Sequence, residues 1–99
     1  MTGTAVFLIT AYGLGCDAPG PHTKAGTTPV ASFTAAADPR VLPLGSIVWI
    51  EGLGERMIHD IGGGVRGRHI DVFMDSCKEA GRVRVLRRVR ILHTPKRSK

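Results

Sequence analysis

Short runs of strand-forming residues alternate with Gly- and Pro-rich turns along almost the whole of this 99-residue chain. Six strand-like runs fall at positions 4–12, 29–37, 46–51, 56–60, 69–74 and 82–92. Turn-forming residues separate several of them, at 13–26, 52–55 and 62–64, and helix signals are confined to 75–81. So many strands in so short a chain predict a small closed barrel, because closure protects every strand edge. We therefore expect an all-β fold with a six-stranded barrel and one short helix.

The length and composition of the chain predict a single domain over 1–99, with its core in 4–92 and a basic tail at 93–99. The hydrophobic fraction is 42%, yet no apolar run reaches the roughly 20 residues that cross a bilayer. The apolar stretch 4–9 has no basic residue before it and leads directly into Thr10-Ala11-Tyr12. We interpret it as a buried strand, so no signal peptide is visible.

The net charge of +6 indicates an acidic partner, such as nucleic acid or a polyanionic bacterial cell wall. No RNA-binding signature is present, so nucleic acid is not the expected partner. On the last strand, arginines alternate with valines, which favours a solvated face over a polyanion-binding strip. The pair Leu86-Arg87 interrupts this alternation and indicates a β-bulge or a barrel corner.

Three of the eight acidic residues lie in apolar or Gly-rich segments rather than in charged runs. Asp38 stands in Ala-Ala-Asp-Pro-Arg-Val-Leu-Pro-Leu-Gly, Asp60 in His-Asp-Ile-Gly-Gly-Gly, and Asp71 in His-Ile-Asp-Val-Phe. A carboxylate in such surroundings must find hydrogen-bond donors or shift its pKa, because burying it unpaired is costly. Carboxylates of this kind, gathered in one cleft, are typical of acid/base catalysis.

These segments resemble a known family. Ala-x-Asp-Pro-x-x-x-Pro-Leu-Gly, then Asp-x-Gly-Gly-x-x-x-Gly, then Ile-Asp-Val-Phe is the motif order of the three-aspartate (3D) domain. That domain occurs in lytic transglycosylases of the A group and in stationary-phase survival proteins of Gram-positive bacteria. The resemblance implies a double-psi β-barrel, peptidoglycan glycan strands as partner, no cofactor, and an extracellular, cell-wall or periplasmic location.

Asp71 is the predicted general acid. Strand alternation turns Ile70 and Val72 into the core and Asp71 away from it, with His69 and Phe73 near its face. An aromatic neighbour predicts a raised pKa for the Asp71 carboxyl. The resemblance places the catalytic aspartate here, eleven residues after Asp60. It implies cleavage between N-acetylmuramic acid and N-acetylglucosamine, with one Asp acting as acid and then as base to give a 1,6-anhydro sugar.

Each of the other candidate residues is open to two interpretations. Asp60 is either a second carboxylate at the site or a turn cap. Gly62 and Gly63 allow close approach and positive φ, which suits a sugar subsite or a turn equally. Asp38 precedes a proline, which favours a structural or orienting role over direct substrate contact.

The loop before the second run carries Thr23 and Lys24, and the resemblance places a substrate-contacting segment there. His59 and Asp60 face opposite sides of a strand and have no third partner, so no metal is predicted. Cys16 and Cys77 form no Cys-x-x-Cys pair; a disulfide and two unpaired small side chains remain equally open.

A non-catalytic wall-binding module, similar to expansins and barwin-like proteins, is the competing hypothesis. The larger transglycosylases of the family form their groove between this barrel and a second domain. This sequence does not predict such a second domain. Fold does not fix activity, so the two hypotheses need product chemistry to separate them.

Overall fold

The computed structural model describes residues 3–13, 24–28, 30–31, 33–75 and 77–95, without the Cys77 side chain. The elements in chain order are β1 (Gly3–Gly13), β2 (Thr34–Ala37), β3 (Ile47–Ile50), β4 (Gly54–Asp60), β5 (His69–Met74), α1 (Cys77–Ala80) and β6 (Arg84–His93). No helix in these ranges is long and apolar enough to span a membrane.

The strands close into one barrel in the order β1-β5-β2-β4-β3-β6. Two pairs, β1–β5 and β2–β4, are parallel, and the remaining neighbours are antiparallel. Closure gives each of the six described strands two hydrogen-bonded neighbours. The predicted all-β, six-stranded double-psi β-barrel with one short helix is confirmed.

The barrel interior is filled by aliphatic and aromatic side chains that alternate with outward-facing residues along each strand. Burial of each such side chain stabilises the fold by about 1.5–3 kcal/mol. The largest fully buried ones are Phe7, Ile9, Leu42, Ile50, Ile58, Ile70, Val48, Val72 and Val89. A second, smaller cluster of Tyr12, Ala36 and Phe73 lies apart from this core, with Ala31 packed against it.

The predicted bulge at Leu86-Arg87 is wrong. β6 pairs with β1 in unbroken register from Arg84 to Ile91, and Leu86 lies opposite Leu8. The register shift occurs instead against β3, where Ile47 pairs with His93 and Val48 with Ile91. Arg87 lies beyond the last β3 partner of β6, so the strand accommodates it without changing phase.

Several boundaries differ from the predicted ones. β2 begins at Thr34 rather than at 29, because Val30 O accepts hydrogen bonds from both Phe33 N and Thr34 N and closes a turn. The Thr34 hydroxyl oxygen accepts a further bond from Val30 N at 2.8 Å and locks that turn. The helix Cys77–Ala80 lies inside the predicted 75–81, with Gly81 just past its end as expected, and His93 belongs to β6 rather than to a tail.

Candidate functional site

One lateral row of residues crosses five strands of the barrel. Arg84 of β6 lies opposite Thr10 of β1, and Thr10 lies opposite Asp71 of β5. Asp71 lies opposite Ala36 of β2, and Ala36 lies opposite Asp60 of β4. Cross-strand partners share a face of a sheet, so the row places both candidate carboxylates on the same side of the barrel wall.

A register shift on β4 brings Asp60 into this row. Ala35 pairs with Ile58, but the next residue, Ala36, pairs with Asp60, so His59 is skipped. Bulges of this kind re-aim side chains and are frequent beside functional sites. Because β2 separates the two aspartate-bearing strands, their backbones lie about two strand spacings, or roughly 10 Å, apart.

An open cleft of about 180 Å³ lies between the two aspartates. The small Ala36 side chain lies in the row between them and leaves this space open. The cleft is lined by Tyr12, Ala36, Asp60, Ile61, Gly62, Gly63 and Asp71. The structure therefore brings together Asp60, Asp71, Gly62 and Gly63 of the predicted set.

Asp60 is only 3% exposed and its carboxylate accepts three hydrogen bonds. Tyr12 Oη donates to Oδ2 at 3.2 Å, and the backbone N–H groups of Lys24 and Ile61 donate to Oδ1 at 3.1 and 3.0 Å. Burial and then the nearby Asp60 carboxylate raise the pKa of Tyr12 well above its ordinary value, so Tyr12 remains a phenol and a donor.

Asp71 is half-buried at the cleft wall, and its carboxylate is held by β1. The Thr10 hydroxyl donates to Asp71 Oδ1 at 3.0 Å and also contacts His69 Nε2 at 2.7 Å. Ile70 and Val72 are buried on the opposite face, as strand alternation predicts. Phe73 packs edge-on against Tyr12 with ring centroids 5.4 Å apart, which gives the site a rigid aromatic support.

Asp38 lies outside the cleft between Asp60 and Asp71. Its Oδ2 accepts from Gly67 N at 2.9 Å and from Arg40 Nη2 at 3.0 Å, and its Oδ1 accepts from Arg40 N and Nε. The Arg40 side chain, followed by the Gly67 and Arg40 backbone N–H groups, holds the pKa of the Asp38 carboxyl well below its usual range. Asp38 lines a neighbouring hollow of about 250 Å³, which shares Ile61, Gly62 and Gly63 with the cleft.

The glycines of the 62–64 turn do not adopt positive φ, so that part of the prediction is wrong. Gly62 is required for a different reason, since a Cβ there would lie 2.6 Å from Cγ2 of buried Val65. A Cβ on Gly63 would meet no atom within 4 Å, because Gly63 opens onto the cleft. Positive φ falls instead at Gly67, whose N–H binds Asp38.

Of the predicted loop contacts, Lys24 reaches the site through its backbone N–H, while its side chain is exposed. Thr23 lies outside the described residues, as does Cys16, so the substrate contact of Thr23 and the disulfide stay predictions. Among the residues that are described, no three His, Cys, Asp or Glu side chains meet as a metal site requires. The absence of a metal likewise stays a prediction.

Thr10 and Tyr12 are site residues that the sequence interpretation did not assign to any function. Both hydrogen-bond directly to a candidate carboxylate. Their signal was the spacing i, i+2 of two hydroxyl groups on the outward face of an otherwise apolar strand. That pattern predicts two hydroxyls on one face of the strand. Which strand lies beside them is determined only by the barrel topology.

The chain is thus a closed double-psi β-barrel with an open cleft that Asp60 and Asp71 both line, and this is the class of protein that the fold and the site define. Comparison with known families specifies it further. The chain belongs to the 3D domain family, whose model matches residues 33–92. All three aspartate motifs described above fall within that range.

Two curated relatives from Bacillus subtilis strain 168 match parts of the chain. A cell wall-binding protein, YocH, is 51% identical over 45 residues, which cover 46% of this chain and 16% of YocH. A putative cell wall shaping protein, YabE, is 38% identical over 76 residues, which cover 74% of this chain and 19% of YabE. The chain thus matches less than a fifth of the length of either relative.

Solved structures of a lytic transglycosylase, MltA of Escherichia coli, share the fold. The structure of MltA with bound chitohexaose superposes with a TM-score of 0.68 at 20% identity, covering 83% of this chain and 30% of MltA. A second MltA structure superposes with a TM-score of 0.66 at 21% identity, covering 82% of this chain and 29% of MltA. At this level of identity the similarity establishes a common barrel architecture.

Proposed function

We propose that this domain binds peptidoglycan glycan strands in the cleft between Asp60 and Asp71 and cleaves them as a lytic transglycosylase. The bond cleaved is the β-1,4 linkage from N-acetylmuramic acid to N-acetylglucosamine, and the product carries a 1,6-anhydro sugar. The location that follows from this substrate is extracellular, in the cell wall or periplasm.

The observation that carries the proposal is the placement of Asp71 in the row across the barrel. Its carboxyl is half-buried, lines an open cleft, and has one oxygen held by Thr10. An acid catalyst needs a fixed carboxyl that a glycosidic oxygen can reach from solvent. Asp60, by contrast, is buried and accepts three intramolecular bonds, so it suits orientation and charge stabilisation better than proton transfer.

In the first step, protonated Asp71 donates to the glycosidic oxygen as the bond from C1 to that oxygen breaks. The leaving sugar departs with that proton, and C1 acquires oxocarbenium character. In the second step, ionised Asp71 removes the proton from the C6 hydroxyl, and O6 closes onto C1. The carboxyl ends protonated as it began, so one residue performs both proton transfers.

Asp60 contributes a fixed negative charge on the other side of the cleft. A carboxylate there stabilises the developing positive charge at C1 without reorganising, because Tyr12 and two backbone N–H groups already hold it. Gly63 leaves room for a sugar ring to approach the backbone closely.

The comparisons support a wall glycan as the substrate. Membership of the 3D family, the barrel shared with a lytic transglycosylase, and a relative that is a cell wall-binding protein all point to the same polymer. The net charge of +6 suits a polyanionic wall and raises the rate of encounter with it.

The test is mass spectrometry of soluble muropeptides released from purified sacculi. We expect wild type and the charge control Glu55→Gln to release anhydro-muropeptides, because Glu55 is exposed and lies opposite Trp49, outside the cleft. Asp71→Asn is expected to release none. Products with a new reducing end would instead indicate hydrolysis, and equal release by Asp71→Asn would refute the role of Asp71.

The competing function is wall binding without cleavage, which the name of the YocH relative favours. A folded wild type that sediments with sacculi but releases no anhydro product would select it. In that case Asp71→Asn would also retain wild-type sedimentation, because an acid catalyst is not required for binding.

A further inference from the structure

A continuous chain of side-chain hydrogen bonds links His69 to Asp71 through Thr10. The Thr10 hydroxyl oxygen lies 2.7 Å from His69 Nε2 and 3.0 Å from Asp71 Oδ1. His69 stands two residues before Asp71 on β5, so both side chains project from the same face of that strand. All three residues are half-buried, so water competes less for these bonds than it does on an open surface.

The direction of each hydrogen bond follows from the number of protons available. A hydroxyl carries one proton, and an ionised carboxylate can only accept. The Thr10 proton therefore points at Asp71 Oδ1, and the 2.7 Å contact with His69 needs a proton from the imidazole. His69 must carry that proton on Nε2, whether the ring is neutral or charged.

We infer that His69 is a positioning residue for Asp71: by donating from Nε2 it fixes the Thr10 hydroxyl towards Oδ1 of the carboxyl. This inference rests on the proposed function, in which Asp71 is the acid and then the base. The hydrogen bond from Thr10 holds the carboxyl in its orientation at the cleft wall.

The opposite tautomer would undo this arrangement. With the proton on Nδ1, His69 Nε2 becomes an acceptor and takes the Thr10 proton for itself. Asp71 Oδ1 then loses the hydrogen bond from Thr10, and the carboxyl is held less firmly. Small misplacements of a catalytic group cost large factors in rate, so the orientation of a distant imidazole affects turnover.

The kinetic test compares His69→Gln with His69→Leu. A third variant, Thr10→Val, removes the hydroxyl that links His69 to Asp71. The Gln amide N–H₂ replaces the Nε2 donor, whereas Leu fills the space without one. We expect His69→Leu and Thr10→Val each to lower kcat about tenfold with KM little changed, and His69→Gln to keep most of the wild-type kcat. His93→Leu, at the exposed end of β6, is the matched control for losing a histidine.

Two kinetic results would overturn the inference. One is a wild-type kcat in His69→Leu, and the other is an equal loss in His69→Leu and His69→Gln. The melting temperatures of all variants are compared first, so that a loss of kcat is interpreted only for variants that remain folded.

Nitrogen-15 NMR of the imidazole rings tests the same inference without any turnover. We expect the wild type to show His69 protonated at Nε2, and Thr10→Val to change the Nε2 signal while the His93 signal stays the same. A neutral ring with its proton on Nδ1 would overturn the inference even if the enzyme is active. If wild type releases no anhydro product, the proposed function fails, and the tautomer still decides whether His69 holds Thr10.

Discussion

Asp60 and Asp71 lie on strands that are not neighbours, and a single residue of the strand between them, Ala36, is opposite both. The separation of the two carboxylates is therefore set by the barrel and not by a flexible loop. The alanine methyl keeps the space between them open to a ligand. Sites built on strands hold their groups more precisely than sites built on loops.

Tyr12 is the one tyrosine of the chain, so its ionisation can be followed directly by absorbance. Because burial and the Asp60 carboxylate raise its pKa, we expect no phenolate signal near the ordinary value of about 10. The stability that comes from keeping the phenol neutral is complete below that value and is lost as the pH rises towards the higher folded-state pKa. The phenolate signal should therefore appear together with alkaline unfolding, as measured by circular dichroism.

Titration of the same chain in denaturant provides the reference for Tyr12, and it should show the ordinary tyrosine pKa. A phenolate signal near pH 10 in a chain that is still folded would contradict the buried hydrogen bond to Asp60.

Asp38 joins the loop after β2 to the turn before β5 through its bonds with Arg40 and Gly67. We expect Asp38→Asn to lower the stability of the domain at neutral pH, because the two backbone N–H groups and the guanidinium lose an anionic acceptor. The folded-state pKa of Asp38 is lowered, so its contribution is present above the unfolded value of about 3.9 and is lost as the pH falls through the folded-state value. Urea unfolding of wild type and Asp38→Asn at a series of pH values measures this contribution of Asp38 to stability.

The gap in stability between wild type and Asp38→Asn should be constant near neutrality and should narrow in acid. Glu55→Gln is the control for losing one exposed carboxylate, and it should change stability little at any pH. A gap that widens on acidification would contradict the assignment.

Gly62 and Val65 form the tightest contact of the glycine-rich turn. We expect Gly62→Ala to destabilise the domain by about 1–3 kcal/mol, because its new methyl would lie 2.6 Å from Val65 Cγ2. Val65→Ala removes the Cγ2 methyl of Val65 and leaves a small void, so it also destabilises the domain. A double-mutant cycle with Val65→Ala measures the coupling between the two sites.

The double variant should be more stable than the sum of the two single effects predicts. Strict additivity would mean that the backbone of the turn moves to relieve the clash, and the requirement for glycine at 62 would then be refuted.

Gly63 and Gly64 allow a matched test of the cleft. Neither has positive φ, and an added methyl meets nothing within 4 Å at either position, so both alanine variants should fold with little change in stability. Only Gly63 lines the cleft. We expect Gly63→Ala to weaken binding of a soluble glycan oligomer about tenfold, which is about 1.4 kcal/mol, and Gly64→Ala to leave it unchanged. Isothermal calorimetry measures both, and equal affinities would place the glycan elsewhere.

The positions of the strands could be predicted from the sequence, because their determinants are local, whereas the double-psi topology was implied only by the resemblance to the 3D domain. Alternation places Ile70 and Val72 inside, and the glycines at 52 and 54 mark the link between β3 and β4 with positive φ. The start of β2 was placed too early, since the turn that Val30 and Thr34 close depends on a side-chain bond that hydrophobic pattern does not report.

The site was predicted less completely than the fold. Asp71 and Asp60 stand out as carboxylates in apolar and glycine-rich surroundings, and the cleft brings them together. The partnership of Thr10 and Tyr12 with those carboxylates depends on the parallel pairing of β1 with β5 and on the end of β4, and no local pattern encodes either. The β4 register shift that selects Asp60 over His59 is likewise a property of the assembled sheet.

The row of paired residues from Arg84 to Asp60 also has a consequence for folding, because it determines when the site acquires its geometry. Arg84 and Thr10 lie near opposite ends of the chain, and their pairing closes the barrel. Contacts between distant parts of a chain form late, because the entropy of the intervening loop must be lost first. The Thr10 hydrogen bond to Asp71 itself joins residues 61 positions apart, so the geometry around Asp71 is expected to form late, and recovery of that bond after dilution from denaturant would time this step.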